Sequence, residues 1–497
     1  EQAAAHCAEG WARVTGKAGV ALVTAGPGVT DAVTGAANAY RGSIPMVLIG
    51  GQGPRMLQDM GSLQDMNHVE LMRPITKWSV SIPETRRVAE YISMAFRRAT
   101  TGVPGPVFLE FPLDLTMDMV DDGMVEFPTQ YRTEARTGGD PAYIEKAAEL
   151  LGKAERAFAV VGSQLWWSPK REILKDFAAR YRMPIFLNGQ GRGALRPDDP
   201  HFLRRTRKEA LQQGDLALIF GTPLDFRLGY GRRPTFSDSL RTIQIDLDGA
   251  EIGRNRAIDV GIVGDTGLVM QQIMDATGGK KIDFSPFLKG LREAETARNQ
   301  KMMAERASDA FPINPLRLCH EMNECLTEDS IVVGDGGDIV ATGANVFDIY
   351  KQGHWMDPGP LGTLGVGPSY AISAKLANPD KPVFVLFGDG SFGLNGMEYE
   401  SAARQKIPFV GVCGNDAAWM QIRRGQIELY GEAKAVATSL DYTRYDKMVE
   451  ALGGHGEWVE HAKDIRPAIE RAIASGKPAL VNVKMGASEF RKGAISV

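Results

Sequence analysis

The sequence predicts an α/β protein made of three doubly wound domains, each with a parallel sheet. Three observations lead there. The chain has 497 residues, more than one hydrophobic core normally supports. Short apolar runs alternate with helical patterns along it, the rhythm of a parallel sheet covered by helices on both faces. The rhythm is interrupted twice, by the polar, turn-rich FPTQYRTEARTGGDP and by the charged helical pattern SPFLKGLREAETARNQKMMAERAS. These interruptions mark off three blocks.

The first block, residues 1–125, opens on the helical EQAAAHCAEGWARVTG. GVALVTAGPG then reads as a buried strand ending in glycines, TDAVTGAANAYR as a helix, and IPMVLIGG and GPVFLEFP as further strands. The second block, residues 142–278, supplies the strands RAFAVVG, MPIFLNG, LALIFGTP, RTIQIDLD and VGIVGD. The third block, residues 314–490, supplies SIVVGDGG, PVFVLFGDG, IPFVGVCGND and PALVNVKMG. Ligands of open α/β sheets bind beyond the carboxyl ends of the strands. A site is therefore expected in the loops after VALVTA, SIVVG, PVFVLF and PFVGVC, where glycines cluster.

Composition excludes several classes. A net charge of −4 gives no electrostatic case for a nucleic-acid partner. The longest apolar runs are strand-length, too short to cross a bilayer. Cys7, Cys319, Cys325 and Cys413 show no CxxC spacing and read as reduced packing residues. Without a lysine-led hydrophobic leader, the cytoplasm is the expected compartment. The abrupt helical opening at Glu1 leads us to expect further residues upstream.

The chemistry concentrates in FGDGSFGLNGMEYESAARQKIPFVGVCGND. Glycines at a strand end let backbone approach a ligand, and a following helix offers N–H groups to phosphate. Asp389 would repel phosphate unless a cation lies between them. Mg²⁺ fits, because it takes oxygen ligands and binds through one or two carboxylates plus substrate phosphates. Asp416 ends the next strand, 27 positions on. Neighbouring parallel strands would bring it to the same sheet edge, with a backbone carbonyl near Ala418 as a third ligand. A bare glycine turn is the alternative for either half alone; the pairing is more specific.

That spacing resembles the motif of thiamin-diphosphate-dependent enzymes, a GDG followed about one helix and one strand later by an Asn pair. Asp416 stands where the family has its second Asn, and keeps an oxygen ligand. GPLGTLGVGPSYAISAK and EQAAAHCAEGWAR…GVALVTAGPGVTDAVTGAANAY also resemble the family. The likeness spans essentially the whole chain in the order pyrimidine, middle and diphosphate domains. It is nearest to the acetolactate synthase, benzaldehyde lyase and 2-hydroxyacyl-CoA lyase branch. The resemblance implies thiamin diphosphate and Mg²⁺ as cofactors. It implies roles for Glu1 as the glutamate acting on the cofactor's pyrimidine, and for Gln64 as a glutamine reaching the reacting carbonyl. Leu364 would wedge under the cofactor, Gly362 would offer its carbonyl to the pyrimidine amino group, and Gly336, Gly337, Asp338, Gly390 and Ser391 would line the diphosphate pocket. It also implies a homodimer or homotetramer with sites between subunits, acting on a small-molecule substrate.

Position 425, where the acetolactate synthase pattern has a tryptophan, is glycine. The run GNDAAWMQIRRGQ resembles 2-hydroxyacyl-CoA lyases of that branch more closely, which implies cleavage of a 2-hydroxyacyl-CoA to an aldehyde and formyl-CoA. Acetolactate synthase-like decarboxylation and carboligation of 2-ketoacids is the alternative. A non-catalytic nucleotide-binding regulator is a third reading, and the joint presence of Glu1, Asp389 and Leu364 argues against it. Trp419 is a candidate wall of the substrate channel; His68 is a candidate substrate contact, with a structural or pocket-rim histidine as the alternative. Arg423 and Arg424 are candidates for the phosphates of coenzyme A, or else a solvated helix face. In relatives the middle domain holds FAD, ADP or CoA, and Asp246 and Asp248 are candidates for a ribose. An alternative is a middle domain that keeps the fold without a nucleotide. AGPGVTD departs from a dinucleotide fingerprint at Asp31. The tail SEFRKGAISV is a candidate lid.

Overall fold

The computed structural model describes residues 1–487. The candidate lid SEFRKGAISV lies outside them. Three parallel sheets succeed one another along the chain. The first contains β1 (Gly19–Val23), β2 (Met46–Gln52), β3 (Trp78–Ser81) and β4 (Pro106–Pro112), in the order β1-β2-β4-β3. The second contains β5 (Ala157–Val161), β6 (Ile185–Leu187), β7 (Leu216–Phe220), β8 (Arg241–Asp246) and β9 (Val260–Val263), in the order β6-β5-β7-β8-β9. The third contains β10 (Ile331–Asp335), β11 (Trp355–Met356), β12 (Val383–Gly388), β13 (Val410–Asn415), β14 (His455–Val459) and β15 (Ala479–Lys484), in the order β11-β10-β12-β13-β15-β14.

The second and third sheets share one topological feature. From β5 the chain steps to β6 on one side and then to β7 on the other; from β10 it steps to β11 and then to β12. Such a reversal opens a crevice at the carboxyl ends of the two inner strands. The crevices therefore lie between β5 and β7 and between β10 and β12. Every residue of β5, β7 and β10 is buried, because helices cover both faces and polar alternation would leave charge in the core.

β1 departs from the expected buried strand. It is an edge strand that alternates, with Val20 52% and Leu22 72% exposed. β3, β11 and β14 were not among the expected strands. β11 has two residues, and β3 and β14 carry little uninterrupted apolar pattern.

Eight helices frame the crevices and the cavities beside them: α1 (Gln2–Thr15), α2 (Pro27–Gly42), α3 (Arg207–Gln213), α4 (Ser285–Arg306), α5 (Asp338–Val346), α6 (Gly367–Ala377), α7 (Asp389–Asn395) and α8 (Met420–Tyr430). α1 joins the first sheet's layer to the third's. At Gly10 a Cβ would already touch the Tyr370 backbone at 3.0 Å, so the α1–α6 approach depends on glycine. Beside it, buried Glu9 accepts hydrogen bonds from Arg13 at 2.7 Å and Asn38 at 2.8 Å. Although burial raises the cost of its charge, Arg13 and these donors hold the Glu9 carboxyl down, at about 2. The charged connector α4 puts Phe287 and Leu291 into the second domain's core and Met302 into the third's. Among the described residues no helix is long and apolar enough to cross a membrane.

Candidate active site

Strand register places the two aspartates. β12 and β13 run parallel with Gly388 opposite Gly414, so Asp389 and Asp416 emerge just beyond adjacent strand ends. The helix after β12 begins at Asp389 itself rather than at the GMEYESAARQK pattern, because DGSFGLN already winds as α7. Asp389 accepts from the Gly390 N–H at 2.8 Å and from the Ala418 N–H at 3.2 Å. The second bond depends on a tight turn after Asp416, in which Ala417 adopts φ +54°. A non-glycine residue there costs on the order of 1 kcal/mol, and the turn brings Ala418 over Asp389.

Both carboxyls are destabilised as anions. Burial pushes Asp389 up to about 6. Burial, then repulsion from Asp389 and Asp338, pushes Asp416 up to about 8. Two buried carboxyls that resist ionising together favour a cation between them. Among the described residues no group of three or more His, Cys, Asp or Glu could hold a metal ion. A cation here would take two carboxylates from the chain and complete its shell with backbone carbonyl, water and ligand oxygens, the pattern Mg²⁺ adopts with phosphates.

The crevice floor lies one strand over. Gly336 and Gly337 come directly after β10, and Asp338 begins α5. A Cβ on Gly336 would meet the Gly388 backbone at 3.0 Å, and one on Gly390 would lie 2.5 Å from the Trp419 ring. The backbone thus forms a side-chain-free cradle between β10 and β12. Asp335, not among the expected site residues, fastens the loop carrying Gly362 and Leu364. Its carboxylate accepts from the Gly365 N–H at 2.9 Å and the Gly367 N–H at 2.7 Å, while burial pushes it up to about 6. The signal was present as a second glycine-flanked aspartate in VGDGG. Leu364 is half-buried on that loop, and Gly362 is exposed with open space where a Cβ would stand. The Ser391 hydroxyl donates within the fold, lying 2.5 Å from the Asp335 carbonyl and 2.9 Å from that of Gly388.

Glu1 and Gln64 meet elsewhere, at the turn after β1. A Cβ on Gly28 would lie 3.2 Å from the Glu1 carboxyl carbon, and one on Gly26 2.8 Å from the Gln64 Cβ. Gly26 has φ +58° and ψ −110°, a conformation closed to side-chain-bearing residues. Glu1 therefore stands at the N-terminal end of α2, where the helix dipole favours a carboxylate. It is exposed, so this chain alone does not bury it.

Models of known families match all three domains. The N-terminal TPP binding domain of thiamine pyrophosphate enzymes matches residues 1–71, their central domain 144–273 and their C-terminal TPP binding domain 335–483. The chain belongs to the thiamine pyrophosphate enzyme family. It is 36% identical over 484 residues to a probable acetolactate synthase of Mycobacterium bovis, covering 97% of this chain and 87% of that one. It is 33% identical over 545 residues to 2-hydroxyacyl-CoA lyase 2 of Caenorhabditis elegans, covering 100% and 84%. It is 33% identical over 541 residues to the same-named human protein, covering 100% and 85%. The donor set suits the family's cofactor: an acid pair that favours a cation, beside a backbone cradle of glycines.

Two of the candidate substrate residues in this thiamine pyrophosphate enzyme are already engaged. His68 is buried; its Nε2 accepts from the Gly26 N–H at 3.0 Å and its Nδ1 lies 3.1 Å from Glu110. Both ring nitrogens are used within the fold, so His68 positions the Gly26 turn instead of meeting substrate. Arg424 is neither a solvated helix face nor free for a phosphate. It is 9% exposed and forms a two-pronged pair with the Asp338 carboxylate, and so offsets one of the three acids around the crevice. Arg423 stays near the surface and donates to the Ser439 hydroxyl at 2.8 Å. Asn415, the first half of the Asn-Asp pair, is a structural clamp, donating to the Thr443 carbonyl at 3.1 Å and to Asn482 at 3.2 Å.

The second crevice, between β5 and β7, opens into a cavity of about 560 Å³ lined by Gln164, Thr222, Asp246, Arg254 and, from the third domain, Pro360. Asp246 accepts from Gln164 at 2.7 Å and from the Asp248 N–H at 2.8 Å, which uses one oxygen. The other oxygen is buried without a partner, and burial pushes the group up to about 6.

Proposed function

We propose that the chain is a thiamin-diphosphate- and Mg²⁺-dependent carbon–carbon lyase that cleaves a 2-hydroxyacyl-CoA to an aldehyde and formyl-CoA, reversibly. The paired aspartates at the β12 and β13 ends support the cofactor half of this reading. Asp389, Asp416 and the Ala418 carbonyl would hold Mg²⁺, and the backbone around Gly336, Gly337, Gly390 and Ser391 would hold the diphosphate. When bound, thiamin diphosphate supplies the electron sink that makes cleavage beside a carbonyl feasible. Leu364 would press on the cofactor from the Asp335-anchored loop, and Gly362 would offer its carbonyl. Glu1 would exchange a proton with the pyrimidine, and Gln64 would orient the reacting carbonyl.

The observation that carries the acyl-CoA half is the second-domain cavity. It has the volume of a nucleotide site, offers the unpartnered Asp246 oxygen to a ribose, and reaches Pro360, two residues before Gly362. A nucleotide seated there would direct its tail toward the crevice, with Trp419 as a wall and Arg423 at its rim. ADP or FAD is the alternative occupant. The 36% identity to a probable acetolactate synthase favours a second reading, decarboxylation and carboligation of 2-ketoacids.

Purified protein with Mg²⁺ and thiamin diphosphate, offered a 2-hydroxyacyl-CoA or pyruvate, separates these. Aldehyde and formyl-CoA from the first is the expected result. Acetolactate from pyruvate without aldehyde release would refute the lyase reading.

We also propose a homodimer or homotetramer in which the Glu1–Gln64 cluster of one copy faces the Asp389–Asp416 crevice of another. Exposed apolar side chains flank both, with Met60 72% and Leu63 87% exposed beside Gln64, and Ile422 54% and Leu429 60% on α8. Apolar groups on that scale favour an interface. Sedimentation equilibrium showing an active monomer would contradict it. Four unpaired cysteines support a cytoplasmic location.

A further inference from the structure

A third cavity, of about 570 Å³, lies where α3 and the loop before it meet α4 and the C-terminal end of α5. It is neither crevice. α5 separates it from Gly337, and at ~1.5 Å per residue its nine residues span about 13 Å. It shares only one wall residue, Arg227, with the second-domain cavity. Its lining is dominated by cations, among them Arg204, Arg205, Arg207, Lys208 and Lys301.

Some of that charge is matched. Arg204 pairs with Asp348 at 2.6 Å, Arg227 with Asp225 at 2.6 Å, and Arg298 with Glu209. The remainder is not. Arg207, Lys208 and Lys301 have no ion-pair partner among the described residues, and Arg207 donates only to the Arg227 carbonyl, at 3.2 Å. Arg205, whose side chain is 9% exposed, donates to the Asn345 carbonyl but reaches a carboxylate, Glu295, only at 3.8 Å. That carboxylate already accepts from the backbone N–H groups of Arg204 and Arg205, at 3.0 and 2.9 Å. The Arg205 Nε is buried without any partner. Burial, then the neighbouring Arg306 and Arg204, bring the Arg205 guanidinium down to about 10. Cationic groups crowded together with open donors and too few counter-charges are costly unless an anion joins them. Guanidinium forks match phosphate oxygens. The lining also includes the apolar Leu211, Leu228 and Met302.

We propose that this cavity binds a small molecule carrying several phosphate groups. A polyphosphate chain and a nucleotide triphosphate share the recognised chemistry, and the test distinguishes them. The full-length chain, in metal-free buffer at physiological ionic strength, is titrated calorimetrically with sodium tripolyphosphate, inorganic phosphate and ATP. We expect saturable binding of one tripolyphosphate per chain, at least tenfold tighter than inorganic phosphate. The double substitution Lys208→Gln/Lys301→Gln, at exposed positions that leave the core untouched, should weaken it at least tenfold. Asp246→Asn should not weaken it. ATP binding more tightly than tripolyphosphate would identify a nucleotide; ATP binding more weakly would identify the chain alone. Absence of saturable binding, or an affinity unchanged by the lysine substitutions, would overturn the proposal. So would loss of binding in Asp246→Asn, which would put the anion in the second-domain crevice. None of these arms requires thiamin diphosphate, so the result stands apart from the proposed lyase activity.

Discussion

Replacing Gly390 by alanine adds one methyl group at the centre of the proposed cofactor site. Its Cβ would stand 2.5, 2.6 and 2.9 Å from three atoms of the Trp419 ring, where carbon–carbon contacts settle near ~3.5–4.0 Å. The Gly390 backbone is ordinary right-handed helix, so alanine introduces no backbone strain, and helix propensity alone favours it by up to about 1 kcal/mol. The ring must therefore move by roughly 1 Å to restore normal contact. It cannot do so freely. The Trp419 backbone N–H is fixed to the Thr438 carbonyl at 2.9 Å, and the residue comes directly after Ala418, whose N–H is bonded to Asp389, so the backbone that carries the ring cannot shift without disturbing the metal loop. Overpacking of this kind costs about 1–3 kcal/mol. Taking about 2 kcal/mol as strain released only when the metal loop shifts, affinity for thiamin diphosphate with Mg²⁺ should fall ~30-fold. Thermal stability without cofactor should change by less than about 1 kcal/mol, since the helix gain opposes the clash. Calorimetric titration of Gly390→Ala, Trp419→Ala and the double variant tests the chain of cause. If the ring is the obstacle, the double variant binds within a few-fold of Trp419→Ala alone. Parent-like binding by Gly390→Ala, or a double variant as weak as the single, would refute the reasoning.

Three further outcomes are expected. Arg424→Gln removes the guanidinium paired with Asp338 and should lower stability in urea denaturation by about 1–3 kcal/mol, whereas Arg424→Gln/Asp338→Asn should recover most of it; equal losses would show that the pair is not what matters. His354 is buried between the Ser330 carbonyl at Nδ1 and Lys381 at Nε2, and burial, then Lys381, lowers it from 6.5 to about 4. The unfolded chain thus takes up the proton first as pH falls, so stability present above pH 6.5 declines toward pH 4, by about 2 kcal/mol at pH 5; His354→Gln should flatten that slope, and an unchanged slope would count against it. His68→Leu should bury the Gly26 N–H without an acceptor, costing about 1–3 kcal/mol, and should lower kcat more than it raises KM by displacing Glu1 and Gln64; a change in KM alone would return His68 to the substrate.

What could be read from the sequence was set by distance along the chain. Asp389 and Asp416 were legible because one helix and one strand separate them, and adjacent parallel strands bring such positions together. The inner strands β5 and β7 of the second domain were legible because each is an apolar run covered on both faces. β11, with two residues, and the alternating edge strand β1 carry too little pattern to fix their burial. The site's electrostatics were not legible at all. Arg424 and Asp338 lie 86 positions apart, and His68 and Gly26 lie 42 apart. Nothing in the local composition of either pair announces the other. Arg424 therefore read as a phosphate contact or a solvated helix face, and His68 as a substrate contact or a structural residue, since a lone residue is judged by its neighbours in sequence while its availability depends on neighbours in space. Asp335 shows the same limit from the other side. Its VGDGG context marks a strand end, yet only the fold reveals that its two oxygens hold the Gly365 and Gly367 N–H groups and so set where Leu364 stands. Motif residues named the cofactor; the groups that position them became visible only once the chain was closed on itself.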